Sequence, residues 1–253
     1  MTLIISLFFL TALLYSSVGF GGGSTYTALL VLTGTDYRIL PTISLICNII
    51  VASGGAWRFY RAGHVTLSRL WPFILTSVPM AWLGGRILAP ETLFIGVLAV
   101  SLLAAGVRML WLSPAPERFL PDRLSLFASL TVGCVLGFIS GLVGIGGGIF
   151  LAPILYMMRW GAAHAIAGAC SIFILANSMS GLTGQLVKLE DQNLLQAVSV
   201  YWPLLPAVLI GGQIGAHLGA LKFSERVMRH VTAVLVLYVA VRLLFRWCNL
   251  VIG

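Results

Sequence analysis

Ser16-Ser17-Val18-Gly19-Phe20-Gly21-Gly22-Gly23-Ser24-Thr25 has a second version later in the chain, Ser140-Gly141-Leu142-Val143-Gly144-Ile145-Gly146-Gly147-Gly148-Ile149. Both copies set a Val-Gly-apolar-Gly-Gly-Gly core inside apolar runs free of Asp, Glu, Lys and Arg. Consecutive glycines cost a helix about 1 kcal/mol each relative to alanine and leave backbone donors and acceptors open. Within a bilayer such a break is tolerated only where it is buried in protein or lines a wet cavity. The same break at matching places in two halves is the strongest sequence pointer to a transporter's binding site.

The composition supplies the bilayer. The chain has 253 residues, 59% hydrophobic and only 9% charged, with a mean hydropathy of +1.03. A soluble globular chain carries about 25% charged residues. The expected fold class is therefore all-α, a polytopic membrane helix bundle. Lys and Arg are absent before Arg38, so the first run lacks the basic flank of a signal peptide and reads as a retained membrane segment. The net charge of +8 fits loops that collect Lys and Arg on the cytoplasmic side. Nucleic-acid binding needs a soluble basic face, and the sequence has none. Cys47, Cys134, Cys170 and Cys248 stand singly, without metal or redox spacing.

Uncharged runs cover 1–35, 39–57, 70–85, 92–107, 124–158, 160–187, 192–221 and about 230–241. Crossing 30 Å of hydrocarbon takes about 20 residues. The runs at 70–85 and 92–107 reach that length with the snorkelling ends Arg69 and Arg108. Those at 1–35 and 124–158 are too long for one helix, and each should form two pieces bent at the glycines. Residues 113–123 hold three prolines and four charges, which makes them a connecting loop. The expected organisation is a first repeat over 1–112, that loop, and a second repeat over 124–253. Ser44 aligns with Ser171, Ser53-Gly54 with Ser180-Gly181, Trp71-Pro72 with Trp202-Pro203, Gly85 with Gly215 and Glu91 with Glu225. Their shared order makes a duplication the economical reading.

The Lys and Arg bias flips between equivalent loops. Arg58, Arg61 and Arg69 face a counterpart holding only Lys188 beside Glu190 and Asp191, while Arg86 faces Lys222, Arg226 and Arg229. Opposite bias predicts inverted repeats, each with an odd number of crossings. Two passes per glycine-broken run give five per repeat and ten in all. The even count of eight, four plus four, would leave the flip unexplained.

Helix N-termini carry free N–H groups and about half a positive charge, so they attract anions without a buried cation. Gly21, Gly22, Gly23, Ser24 and Thr25 are the candidate substrate-binding residues of the first break, and Gly146, Gly147 and Gly148 those of the second. Asn48, Ser171 and Asn177 are the candidate side-chain donors at membrane depth. The competing reading is close helix packing, which small residues allow in membranes, and it suits Gly84-Gly85, Gly211-Gly212 and Gly215 best. A phosphate loop would need a strand, a helix and a partner Lys, none of which follows either copy. No Gly-x-Ser-x-Gly elbow with a placed base is present, so no enzyme is expected, and no cofactor or metal. His164 and His217 are candidate proton carriers. All seven acids fall in loops or at span ends, unlike the buried carboxylate of a proton relay.

The stretch at 19–23, its repeat at 144–148 followed by Pro153, and the Ala167-to-Ser178 span resemble the sulfite exporter TauE/SafE family, also called the 4-toluene sulfonate uptake permease family. The resemblance covers essentially the whole chain. It implies a multi-pass inner (plasma) membrane transporter of sulfite, sulfonates such as sulfoacetate, or related organic anions. The first copy departs from the pattern, with Ala28 where the second has Pro153. Proton-coupled uptake and a non-transporting membrane scaffold subunit stay open as alternatives. The expected partners are a small anionic substrate and the lipid bilayer, with no nucleic acid, and a homodimer is compatible with this reading.

Overall fold

The computed structural model describes residues 2–65, 67–111, 125–158, 160–188, 192–221 and 225–252. Every element among them is an α-helix: α1 (Thr2–Ser17), α2 (Gly23–Leu32), α3 (Leu40–Arg61), α4 (Leu67–Arg86), α5 (Glu91–Trp111), α6 (Leu126–Val143), α7 (Gly148–Met157), α8 (Ala163–Lys188), α9 (Gln192–Ser199), α10 (Leu204–Leu221) and α11 (Glu225–Ile252). The chain is an all-α membrane helix bundle. Among the described residues, α3, α6 and α8 are long and apolar enough to cross a membrane whole, and shorter apolar helices make up much of the rest. As the sequence requires, both long runs break at their glycines. Gly22 and Gly147 cap α2 and α7 with φ of 87° and 79°, a left-handed backbone that side chains other than glycine's resist.

Glycines fix the direction of each helix against its neighbours. Gly133, Gly137 and Gly141 of α6 lie on Phe73, Ser77 and Ala81 of α4, so these two helices run the same way. Gly211 and Gly215 of α10 lie on the carbonyls of Phe9 and Leu13, which makes α10 parallel to α1. Ser180 Oγ donates to Val78 O and Gly184 lies on Trp82 O, so α8 runs with α4. Leu45 meets Gly181, Gly55 meets Ser171 and Phe59 meets Gly168, so α3 and α8 run in opposite directions. These two are counterparts in the sequence alignment, and antiparallel counterparts are what inverted repeats require. Helix partners also follow the exchange of halves: α4 with α6 corresponds to α10 with α1, and α4 with α8 to α10 with α3.

α2 folds back along α1. Phe8 stacks on Tyr26 with ring centroids 4.6 Å apart. A groove of about 360 Å³ brings Leu3, Ile4 and Leu7 together with Leu29 and Thr33 to Thr35. With 10 residues each, α2 and α7 rise only about 15 Å, half the hydrocarbon thickness. The two passes expected of each glycine-broken run are thus one longer leg and one short return. A second departure is the run 192–221, which is not one helix. It divides at residues 200–203 into α9 and α10, and Trp202-Pro203 sits in that turn, whereas Trp71-Pro72 lies inside α4.

Together these directions gather the end of α3, the start of α4, the end of α10 and the start of α11 at one end of the bundle, and the end of α4, the start of α5, the end of α8 and the start of α9 at the other. The turn before α3 lies at that second end, where Arg38 donates to Asp36 and holds its carboxyl below the usual range. There too Arg246 of α11 pairs with Glu91 at 3.0 Å and donates to Val31 O at the end of α2. The expected loop at 113–123, the acids Glu117, Asp122, Glu190 and Asp191, and Lys222 lie outside the described residues.

Candidate functional site

The two glycine turns touch. A Cβ on Gly23 would fall 2.9 Å from Ile145 O, so the start of α2 lies against the backbone of the second turn. Asn48 of α3 sits in the seam, where its Nδ2 donates to Ile145 O at 2.9 Å. The same amide blocks any side chain at Gly21 or Gly23, and it lies 3.1 Å from the Cβ position of Gly146. Each glycine here is a place where another backbone or an amide has taken the volume of a side chain.

Helix α3 brings Asn48 there with Ser44 one turn earlier, whose Oγ donates to Gly23 O at 2.8 Å. From the opposite side α8 presents Ser171, which donates to Gly19 O at 2.8 Å. Ser44 and Ser171, aligned in sequence, therefore both hold the first turn. Thr25 joins Tyr15 of α1 through hydroxyls 2.8 Å apart. All eleven candidate residues are buried: Gly21 to Thr25, Asn48, Gly146 to Gly148, Ser171 and Asn177.

Backbone geometry narrows the donors. The N–H groups of Thr25 and Tyr26 bond to Gly22 O, and those of Phe150 and Leu151 to Gly147 O. Thr25 and Phe150 are thus already committed to the first helical turn, and the donors expected across 21–25 reduce to residues 21–24. Neither glycine cap carries a side chain to accept from that turn. About half a positive charge attends each helix N-terminus, and here the starts of α2 and α7 adjoin.

Several buried hydroxyls and amide oxygens around the turns lack a protein partner: Asn48 Oδ1, Tyr26 Oη, Ser140 Oγ and Ser178 Oγ. Tyr26 Oη lies 3.0 Å from the Cβ position of Gly22, Ser178 Oγ 2.9 Å from that of Gly146, and Ser140 Cβ 3.3 Å from that of Gly147. Such atoms are rarely left unpaired without a reason. No Asp or Glu is buried among the described residues.

Asn177 donates through Nδ2 to Phe173 O on its own helix, and its buried Oδ1, like that of Asn48, has no protein partner. The side chains that face Gly146 from α8 are Ile174 and Ser178. One residue along a helix turns a side chain by about 100°. The stripe Ser171, Ile174, Ser178, spaced i, i+3, i+7, is the signal that picks out Ser178. Tyr26 gave none, being one aromatic among many in apolar runs. Of the candidate proton carriers, His164 lies against His64 in a tilted contact with ring centroids 5.2 Å apart, where α3 ends and α8 begins. His217 is exposed on α10.

Comparison with known proteins agrees with this architecture. The family model described as sulfite exporter TauE/SafE matches residues 4–243. The chain is 32% identical over 241 residues to the probable membrane transporter protein y4hK of Sinorhizobium fredii, covering 94% of this chain and 96% of that one. It is 23% identical over 242 residues to the probable membrane transporter protein YjnA of Bacillus subtilis, covering 89% and 92%. No solved structure matches significantly.

Proposed function

The chain belongs to the sulfite exporter TauE/SafE family of membrane transporters, and from that premise we propose that it exports a small sulfur-containing or organic anion, sulfite or a sulfonate, across the inner membrane. The observation that carries the reading is the meeting of the two glycine turns around Asn48. Two helix N-termini converge there with no buried cation or carboxylate among the described residues, in a setting where backbone N–H groups favour negative charge. The N–H groups of residues 21–24 and 146–149 and the hydroxyls of Tyr26, Ser140 and Ser178 are the donors we assign to the anion.

Proton-coupled uptake is the second reading, and the observation that favours it is the contact of two imidazoles, His64 and His164, across the two halves. Purified protein in liposomes tests transport directly. Sulfite, sulfate, sulfoacetate and taurine are offered in turn, and binding is followed in parallel by thermal shift. Flux of at least one anion without any other protein supports the reading. No flux and no binding across the panel would support a non-transporting scaffold instead.

A further inference from the structure

Arg58 lies on α3 near the end of the bundle that carries Arg61 and Arg69, and it is half-buried. A long cation near the end of a membrane helix normally snorkels outward to the headgroups. Arg58 instead reaches into the wall between the halves, where its Nη2 donates to Gln213 Oε1 of α10 at 3.2 Å. That amide stands a full turn back along α3, at the level of Gly54, where a Cβ would fall 2.5 Å from Gln213 Nε2. The guanidinium therefore points toward the bundle centre. Among the described residues the ion pairs are Arg38–Asp36 and Arg246–Glu91, so no described carboxylate neutralises Arg58.

The chemistry of the pair is one-sided. Gln213 spends its carbonyl oxygen on Arg58, leaving the amide N–H groups and the remaining guanidinium N–H groups. A donor-rich cluster with one full positive charge suits an oxyanion, and the planar fork of arginine matches two of its oxygens at once. The same turn of α3 also looks toward the central site on its other side: Gly55, next to Gly54, meets Ser171 Oγ of α8 3.0 Å from its Cβ position, and Ser171 donates to Gly19 O of the first glycine turn.

We propose that Arg58, positioned by Gln213, is the anion-capturing residue at the mouth that leads to the glycine turns, and that it selects small oxyanions. The inference rests on the transport reading above and adds to it a residue outside both glycine stretches. Arg58 touches the substrate; Gln213 acts through Arg58.

Three variants in proteoliposomes test it, using the first anion of the panel that the wild type carries. R58Q removes charge and fork and raises KM about tenfold or more while kcat stays within about twofold, the size expected for a lost charge-assisted contact. R58K keeps the charge that orients the loop but loses the fork, and its KM rises about threefold to fivefold. Q213E gives Arg58 a carboxylate partner, so KM rises as in R58Q while the melting temperature holds or increases. A purely structural or membrane-anchoring Arg58 predicts unchanged KM in R58K and Q213E, and that result overturns this inference alone. Absence of wild-type flux for every anion of the panel overturns the transport reading and this inference with it.

Discussion

Asn48 is where the residue scale decides most. Its amide holds Ile145 O with Nδ2, its Oδ1 has no protein partner, and three glycines of two distant segments crowd it. Replacing it with alanine leaves Ile145 O buried and unpaired, at a cost of about 1–3 kcal/mol. We therefore expect Asn48→Ala to lower the melting temperature in detergent and to abolish flux. Asn48→Asp tests the charge preference separately, because a carboxylate in the seam repels an anion. It should eliminate anion-induced thermal stabilisation even where the fold survives, and undiminished stabilisation would mean that the anion sits elsewhere. Gly22 and Gly147 give a matched pair of probes. A valine at either must adopt a left-handed backbone and meets Tyr26 or Phe173 at 2.9 Å. Both variants should insert into the membrane yet carry no anion. Normal flux in both would make the turns simple packing features.

At the scale of elements, small residues set how the bundle closes. The α4–α6 seam is backbone against backbone, with Gly133, Gly137 and Gly141 all in contact with the facing helix. Gly133→Val drives a branched side chain into Phe73 O, and overpacking of this kind costs about 1–3 kcal/mol. A fall in melting temperature without a change in KM is the expected outcome, because Gly133 lies about two helical turns from Ser140. Much of this level was legible in sequence. Three glycines in a row cannot propagate a helix, so the breaks were predictable. The bias of Arg58, Arg61 and Arg69 against Lys188 foretold opposite loops before any helix direction was known. What stayed hidden depends on rotation and on contacts between distant segments. Asn177 and Ser178 differ by one step and face different neighbours. Arg58 reads as one more loop cation until Gln213, 155 positions away, is found holding it. The turn at 200–203 was masked by an apolar run with no charge to mark its interruption.

At the scale of the whole molecule, the antiparallel course of α3 and α8 places corresponding segments at opposite ends. If the end bearing Arg58, Arg61 and Arg69 faces the cytoplasm, as the Lys and Arg distribution predicts, then residues 222–229 share that side and 86–91 and 188–191 face outward. Single cysteines introduced in each loop and labelled from outside should react only in the latter pair. Labelling of 188–191 and 58–69 from the same side would refute the inverted arrangement.

The membrane potential sets the energetics. An inside-negative potential expels anions at about 2.3 kcal/mol per charge per 100 mV, so a divalent anion gains about 4.6 kcal/mol on leaving. Uptake would have to overcome that amount with a bound cation or proton, and no carboxylate is buried among the described residues to hold one. The measurement that tests the central claim most directly is efflux from proteoliposomes loaded with the carried anion. The potential is set by potassium and valinomycin, with equal pH on both sides. Efflux should accelerate as the interior is made more negative. Efflux indifferent to potential but driven by a pH gradient would contradict potential-driven anion export and make protons the coupling ion.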